Sequence, residues 1–371
     1  MPPNVSVINS AGCTSNFNLA PRGQPGSSCT LYLTVSGAVS AVNPDPHQHL
    51  FVCFPGNMTC AGTNYSLNVL PSTNLQQMAY VANKGTSTIS ICPVIQGRNF
   101  GGCTAQTDPT YNGTMDVILN NTATVAYVAN NGNNTISVCP VNPVGALQAC
   151  FAATAPLLSF PGLTLNAANT FIYYTQFFNN SVSVCPVNSN GSLGTCVQQS
   201  QFFDGPNGRI ALNAAGNLAY VPNFNSGSIS ICTVNASGGF GTCGTPIVDP
   251  AFGGGPLGVL IDPTNTYLYV PVLPATVAIC RINPNGTLQL PCTTSTGNGT
   301  FNFSDDNSIN MFIQNINGAS YAYLPNGGSS APVTVSICPI QPGGSFGECS
   351  AFPSATFNTP DGISIATFGQ F

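Results

Sequence analysis

One short unit recurs along this chain of 371 residues, and a recurrence of that length constrains the fold more than any other feature. Ala79-Tyr80-Val81-Ala82-Asn83, Ala126-Tyr127-Val128-Ala129-Asn130, Ala219-Tyr220-Val221-Pro222-Asn223 and Ala322-Tyr323-Leu324-Pro325-Asn326 are variants of one segment. Ile172-Tyr173-Tyr174 and Leu268-Tyr269-Val270 hold the same place in two further copies. A polar turn follows each. A second apolar stretch then ends at a cysteine, as in Ile89-Ser90-Ile91-Cys92, Ile136-Ser137-Val138-Cys139 and Ile229-Ser230-Ile231-Cys232. The alternation of apolar and small residues has period two, which marks strands and not helices. A further apolar stretch precedes each tyrosine segment, for example Met115–Leu119, Arg209–Leu212 and Leu257–Ile261.

Cys92, Cys139, Cys185, Cys232 and Cys280 step by about 47 residues, the length of a four-stranded propeller blade. The sequence therefore predicts an all-β fold, a β-propeller of about seven four-stranded blades. We label the strands a to d, with the tyrosine on b and the two cysteines on c and d. Asp361–Ala366 reads as a strand a with nothing after it. Leu31–Val35, Leu50–Cys53 and Cys60 could supply b, c and d of the same blade. On that reading residues 1–30 are an N-terminal segment or Ig-like remnant. Residues 31–371 are then the propeller, closed by pairing of N- and C-terminal strands. The alternative is six blades with residues 1–60 as a separate small β unit.

Sixteen cysteines fall into eight sequential pairs. Cys92/Cys103, Cys139/Cys150, Cys185/Cys196, Cys232/Cys243 and Cys338/Cys349 share one spacing, and Cys280/Cys292 is one residue longer. Cys53/Cys60 is shorter, and Cys13/Cys29 stands apart. Constant spacing within a repeat implies constant geometry, and hairpin neighbours bring sulfurs within bonding reach. Disulfides are expected, each contributing about 3 kcal/mol in the chain-entropy picture. Zinc would need four N/S ligands in one place, whereas each blade offers two cysteines and the only histidines are His47 and His49. Disulfides imply an oxidising, extracellular or cell-surface location. Met1-Pro2-Pro3-Asn4-Val5 is not a signal peptide, so an export leader removed ahead of this numbering is expected.

Only 4% of the residues are charged. Arg22, Lys84, Arg98, Arg209 and Arg281 are scattered, so no basic cluster exists to displace phosphate counterions and no nucleic-acid partner is expected. No apolar run is long enough for a membrane span.

The Ala-Tyr-Val-Ala-Asn segments with their following cysteine strands resemble the YVTN-type, lactonase-like β-propeller repeats, in their secreted, cysteine-bearing form. The likeness covers roughly residues 63–371. Cys13 to Gly37, with Ser28-Cys29-Thr30-Leu31-Tyr32-Leu33, is similar to the last strands of an Ig-like domain. The lactonase relatives would imply a funnel of His, Arg and acids. This sequence departs from them there, with one glutamate, Glu348, and no position onto which a catalytic base can be carried.

Chemistry is otherwise sparse. Asp45, Asp108, Asp249 and Asp262 each precede a proline and read as turn caps. Asp305-Asp306, with Asn302, Ser304 and Asn307, has oxygen ligands suited to calcium but no recognised loop spacing. His47-Gln48-His49 could grip a transition metal. Neither is carried forward, so no catalytic, cofactor or metal residue is expected. Asn-X-Ser/Thr triplets at Asn57, Asn64, Asn112, Asn120, Asn133, Asn179, Asn190, Asn235, Asn285, Asn298 and Asn302 permit glycosylation. Two function classes remain. One is a non-catalytic secreted structural or interaction protein, either a binding platform or a self-assembling filament or surface subunit. Its partners would be glycans, surface proteins or other copies of itself, joined through terminal strands. The other is a lactonase-like hydrolase acting in the propeller funnel.

Overall fold

Each tyrosine segment and the cysteine segment after it form an antiparallel hairpin. Tyr127 lies opposite Val138, Tyr220 opposite Ile231 and Tyr269 opposite Ile279. The computed structural model describes residues 76–368, apart from 96–97, 155–158, 160, 202, 304–307, 317 and 329–332. It also describes four short strands nearer the N-terminus: Val5–Ile8, Tyr32–Val35, His49–Cys53 and Cys60–Ser66.

Six four-stranded antiparallel blades make up the ring. Blade 2 has strand a at Thr114–Leu119, b at Val125–Asn130, c at Thr135–Pro140 and d at Phe151–Thr154. Blade 3 runs Leu163–Leu165, Phe171–Gln176, Ser181–Pro186 and Val197–Gln199. Blade 4 runs Ala211–Leu212, Leu218–Asn223 and Ser228–Val234, with its outer strand in two pieces, Phe240–Cys243 and Ile247–Val248. Blade 5 runs Leu260–Ile261, Tyr267–Val272, Thr276–Ile282 and Leu288–Ser295. Blade 6 runs Phe312–Ile316, Ala319–Asn326, Thr334–Ile340 and Ser350–Pro353. In blade 1 the inner strand is the C-terminal one, Pro360–Phe368. It pairs with b at Gln76–Asn83, followed by c at Thr88–Ile95 and a split outer strand, Asn99–Phe100 and Thr104–Gln106.

The count is therefore six, the alternative, and not seven. The shared blade is the one carrying Tyr80. Tyr32–Val35, expected as a partner of the C-terminal strand, pairs instead with Val5–Ile8. His49–Cys53 pairs with Cys60–Ser66, setting Cys53 opposite Cys60. The ring is one compact unit, Gln77–Phe368, and the four short strands belong to another.

The core lies between blades. Tyr80, Ala82, Ile89 and Ile91 of blade 1 pack against Val117, Ala126, Val128 and Cys139 of blade 2, and the other interfaces repeat this. The motif residues divide the work. Each b-strand tyrosine donates to a backbone carbonyl in the c–d turn of the next blade: Tyr80 to Gly145 at 2.5 Å, Tyr127 to Gly191 at 2.9 Å, Tyr173 to Gly238 at 2.9 Å. Tyr220 donates to Gly286 at 2.7 Å, Tyr269 to Gly344 at 2.8 Å, and Tyr323 closes the ring onto Arg98 at 3.0 Å. Burial pushes the hydroxyls of Tyr127, Tyr173 and Tyr220 up to about 12, which keeps them donors. The motif asparagine bonds across its own hairpin. The Nδ2 of Asn83, Asn130, Asn223 and Asn326 reaches Ser90, Ser137, Ser230 and Ser336 at 2.8 to 2.9 Å. Blade 5 has Val272 and Ala278 at these two places, so both polar partners are replaced together.

The six ring disulfides join c to d within one blade: Cys92–Cys103, Cys139–Cys150, Cys185–Cys196, Cys232–Cys243, Cys280–Cys292 and Cys338–Cys349. Cys13 and Cys29, and the side chains of Cys53 and Cys60, lie outside the described residues.

Candidate functional site at the propeller axis

Strand a of every blade lines the axis, and its register against the tyrosine strand sets which residues face inward. Tyr127, Tyr173, Tyr220, Tyr269 and Tyr323 lie opposite Ile118, Thr164, Ala211, Leu260 and Phe312. Two residues ahead of those partners stand Asp116, Gly162, Arg209, Gly258 and Asn310, and a parallel bridge to Asn310 adds Gly362 from blade 1. Polar residue and glycine thus alternate around the ring. The glycines are required by close approach. A Cβ on Gly162 would meet the Arg209 amide, and one on Gly362 would meet Asp116.

Arg209 crosses the axis. Its Nε donates to Asp116 Oδ2 at 2.8 Å and its Nη2 to Asp116 Oδ1 at 2.6 Å. The guanidinium also reaches the carbonyls of Met311, Val117 and Ile363 at 3.0 Å, and the Arg209 amide donates to Asn310 Oδ1 at 2.8 Å. Asp116 accepts two further bonds, from the amides of Val117 and Leu163 at 2.8 Å. Burial pushes the Asp116 carboxyl up, and the guanidinium and these amides pull it back. With both oxygens accepting two bonds, no place is left for a proton, and the geometry is that of an ionised carboxylate gripping an arginine. One side chain therefore ties blades 1, 2, 4 and 6 together.

Above this plug, on the side of the a–b turns, the axis opens into a funnel of about 350 Å³. Ile118, Thr164, Ala211, Leu260, Phe312 and Ser364 line it, one from each blade, with Arg209 at the floor. Thr164 already donates to Ile210 O at 2.7 Å. The walls are mostly apolar.

The remaining acids divide sharply. Asp108 accepts from Thr110 and from the Cys150 amide, Asp249 from the amides of Ala251 and Cys292, and Asp262 from the amides of Thr266 and Tyr267. These are the expected turn caps. Burial works against Asp108, yet those hydrogen bonds hold its carboxyl below the ordinary value. Asp361, on the closing strand, is different. It is fully buried and neither carboxylate oxygen has a hydrogen-bond partner. Burial raises it well above the ordinary range, Lys84 draws it down, and Asp116 pushes it further up. Sequence reading passed over both axial acids. The signal was an acid and an arginine on strands where neighbouring repeats carry glycine.

Asp45, Asp305, Asp306, His47 and the side chain of His49 lie outside the described residues, as do Asn57 and the side chain of Asn64. No cluster of metal-ligating side chains occurs among the described residues, and no helix there is long and apolar enough to cross a membrane. Asn112, Asn133, Asn190, Asn235, Asn285 and Asn298 are exposed, and Asn120, Asn179 and Asn302 are half-buried. Asn190 and Asn285 occupy one place in their c–d turns, and Asn235 lies two residues earlier in its own. There each Oδ1 accepts from the amide and hydroxyl of its own Ser or Thr. Those triplets thus serve a turn, whatever else they carry.

No protein-family model matches the sequence, and no curated protein does either. Solved structures share the fold. A putative 6-phosphogluconolactonase from Bacteroides uniformis is 16% identical, with a TM-score of 0.57, over 83% of this chain and 92% of its own. The periplasmic gluconolactonase PpgL of Pseudomonas aeruginosa is 13% identical, with a TM-score of 0.53, over 86% and 95%. A chain of the nidogen/laminin complex is 13% identical, with a TM-score of 0.55, over 78% and 98%. At these identities the likeness is one of fold, and propellers host unrelated functions.

Proposed function

We propose that this protein is a secreted, non-catalytic interaction module, a disulfide-stapled ring whose faces and rim are binding surfaces. The observation that carries the reading is the pair at the axis, whose charges are engaged with each other and with backbone groups. In a funnel hydrolase the axial cation and acid would be available to substrate, one to hold an oxyanion and the other to move a proton. Here five acceptors surround the Arg209 guanidinium and four donors surround Asp116. Six disulfides fit an exported protein. A charge content of 4% leaves little repulsion between copies, so association through the terminal strands belongs to the same proposal.

The test is direct. Purified protein is incubated with glucono-δ-lactone and with 6-phosphogluconolactone, and hydrolysis is followed against buffer. The expected result is no acceleration. Turnover abolished by Asp361→Asn, the buried acid whose carboxylate has no hydrogen-bond partner, would replace this reading with the hydrolase. Light scattering before and after deletion of residues 1–12 tests association, and a full-length monomer at high concentration would remove that part.

A further inference from the structure

We infer that the rim cleft between blades 4 and 5 binds a hydroxylated carboxylate, of the size and kind of a uronic acid. The starting point is a break in the repeat. The residue after the first cysteine is proline in four blades, Pro93, Pro140, Pro186 and Pro339, and threonine in one, Thr233. In blade 5 it is Arg281. Nothing in the fold asks for an arginine there. It lies opposite Tyr267 on one side and Gln289 on the other, is exposed, and forms no ion pair with any described residue.

Arg281 lines a cleft of about 690 Å³, together with Asn217, Asn265, Asn285 and Gln289. The corresponding cleft one blade earlier, between blades 3 and 4, measures about 340 Å³ and has no charged residue on its walls. The larger one is within the range of small-ligand pockets. Three of its side-chain amides keep an uncommitted donor. The Oδ1 atoms of Asn217, Asn265 and Asn285 are each taken, by Asn213 Nδ2, by the Ala214 amide, and by Thr287. Their Nδ2 groups make no such bond, and the guanidinium supplies donors only. No carboxylate lines the cleft. A site that carries one positive charge, no negative one and three uncommitted amide donors favours a ligand that brings acceptors and one negative charge. The arginine fork matches a carboxylate in two parallel bonds, and the amides match hydroxyl oxygens around it.

This inference rests on the ring being a binding platform and names what one part of it binds. The experiment is titration of the whole protein, made in a host that does not glycosylate Asn285, with sodium D-galacturonate. D-galactose and sodium propionate are titrated in parallel, and binding is read by calorimetry and by amide shifts in NMR spectra. Galacturonate is expected to saturate a single site, at least tenfold tighter than either control, with shifts centred on residues 281–289. Arg281→Gln should weaken it tenfold or more with the melting temperature unchanged. Gln289→Glu places a carboxylate across the ladder from Arg281 and should weaken it comparably. Absence of saturable galacturonate binding overturns the inference. So does equal affinity for galactose, or for propionate, or binding that neither substitution alters. Consumption of galacturonate while it binds at this cleft would uphold the inference and overturn the non-catalytic reading, so the two fail separately.

Discussion

Two arginines of this ring sit in opposite circumstances. Arg209 is buried at the axis, paired with Asp116 and surrounded by carbonyls. Arg281 is on the rim and unpaired among the described residues. A buried charge must be satisfied by the fold itself, because leaving it bare costs several kcal/mol. A charge that water already solvates needs nothing from the fold. The comparison teaches that an arginine's worth to function runs opposite to how well the structure has satisfied it.

The sharpest way to break the comparison is Arg209→Met. It strands Asp116 in the interior and should lower unfolding stability by about 3–5 kcal/mol, measured as a fall in urea midpoint. Adding Asp116→Leu should return a large part of the loss. A single-variant loss below about 1 kcal/mol would mean that the pair is not sealed as described. Next in size is removal of one staple. Cys139→Ser together with Cys150→Ser opens a loop of sequence separation 11 and should cost about 3 kcal/mol in the chain-entropy account. The same denaturation series reads it, and an unchanged midpoint would count against a constraint on the unfolded chain.

Asp361 offers a smaller effect with a definite sign. Its carboxyl is held above the ordinary range by burial, so the folded state favours the protonated form. That stability is complete below the unfolded value and is lost as pH rises through the folded one. Asp361→Asn should therefore raise stability at pH 8 and leave it almost unchanged below about pH 4. Melting curves across that range decide it, and a gain that does not depend on pH would show that burial of the charge is not the cause. The smallest effect is expected at the rim. Arg281→Gln should change stability by no more than about 0.5 kcal/mol, and a larger loss would move Arg281 into the structural class with Arg209.

Much of the fold was legible because a repeat writes the same physics several times. Tyrosine and the two cysteines recur since each blade needs a latch to the next and a staple, and the asparagine clasp recurs in four of the six. The blade count was harder. Six cysteine pairs in the repeat and a lone final strand announced closure, but choosing between Tyr32–Val35 and Gln76–Asn83 as its partner depends on contacts no local pattern records. The axial pair was missed for a related reason. Asp116 and Arg209 are 93 residues apart, and nothing near either one names the other. Only aligning inner strands by the tyrosine register places both beside glycines at one level. Arg281 is the reverse case, visible as a departure from Cys-Pro yet meaningless until the cleft around it is seen.

The closing strand has a consequence for how the molecule must be made. Its neighbours Asn83 and Asn358 bond across 275 residues, whereas the staples of blades 1 and 2 each span 11. Hairpins and their cross-links can thus mature one after another as the chain is made, each without waiting for the next. Ring closure cannot; it is delayed until the last blade is in place, and long-range pairing of this kind is slow. During that interval the Gln76–Asn83 strand offers an unpaired edge, open to the final strand of any molecule nearby. A high concentration of folding chains therefore invites exchange between copies, and dimers formed this way would interlock through Pro360–Phe368 while every ring staple remained correctly paired.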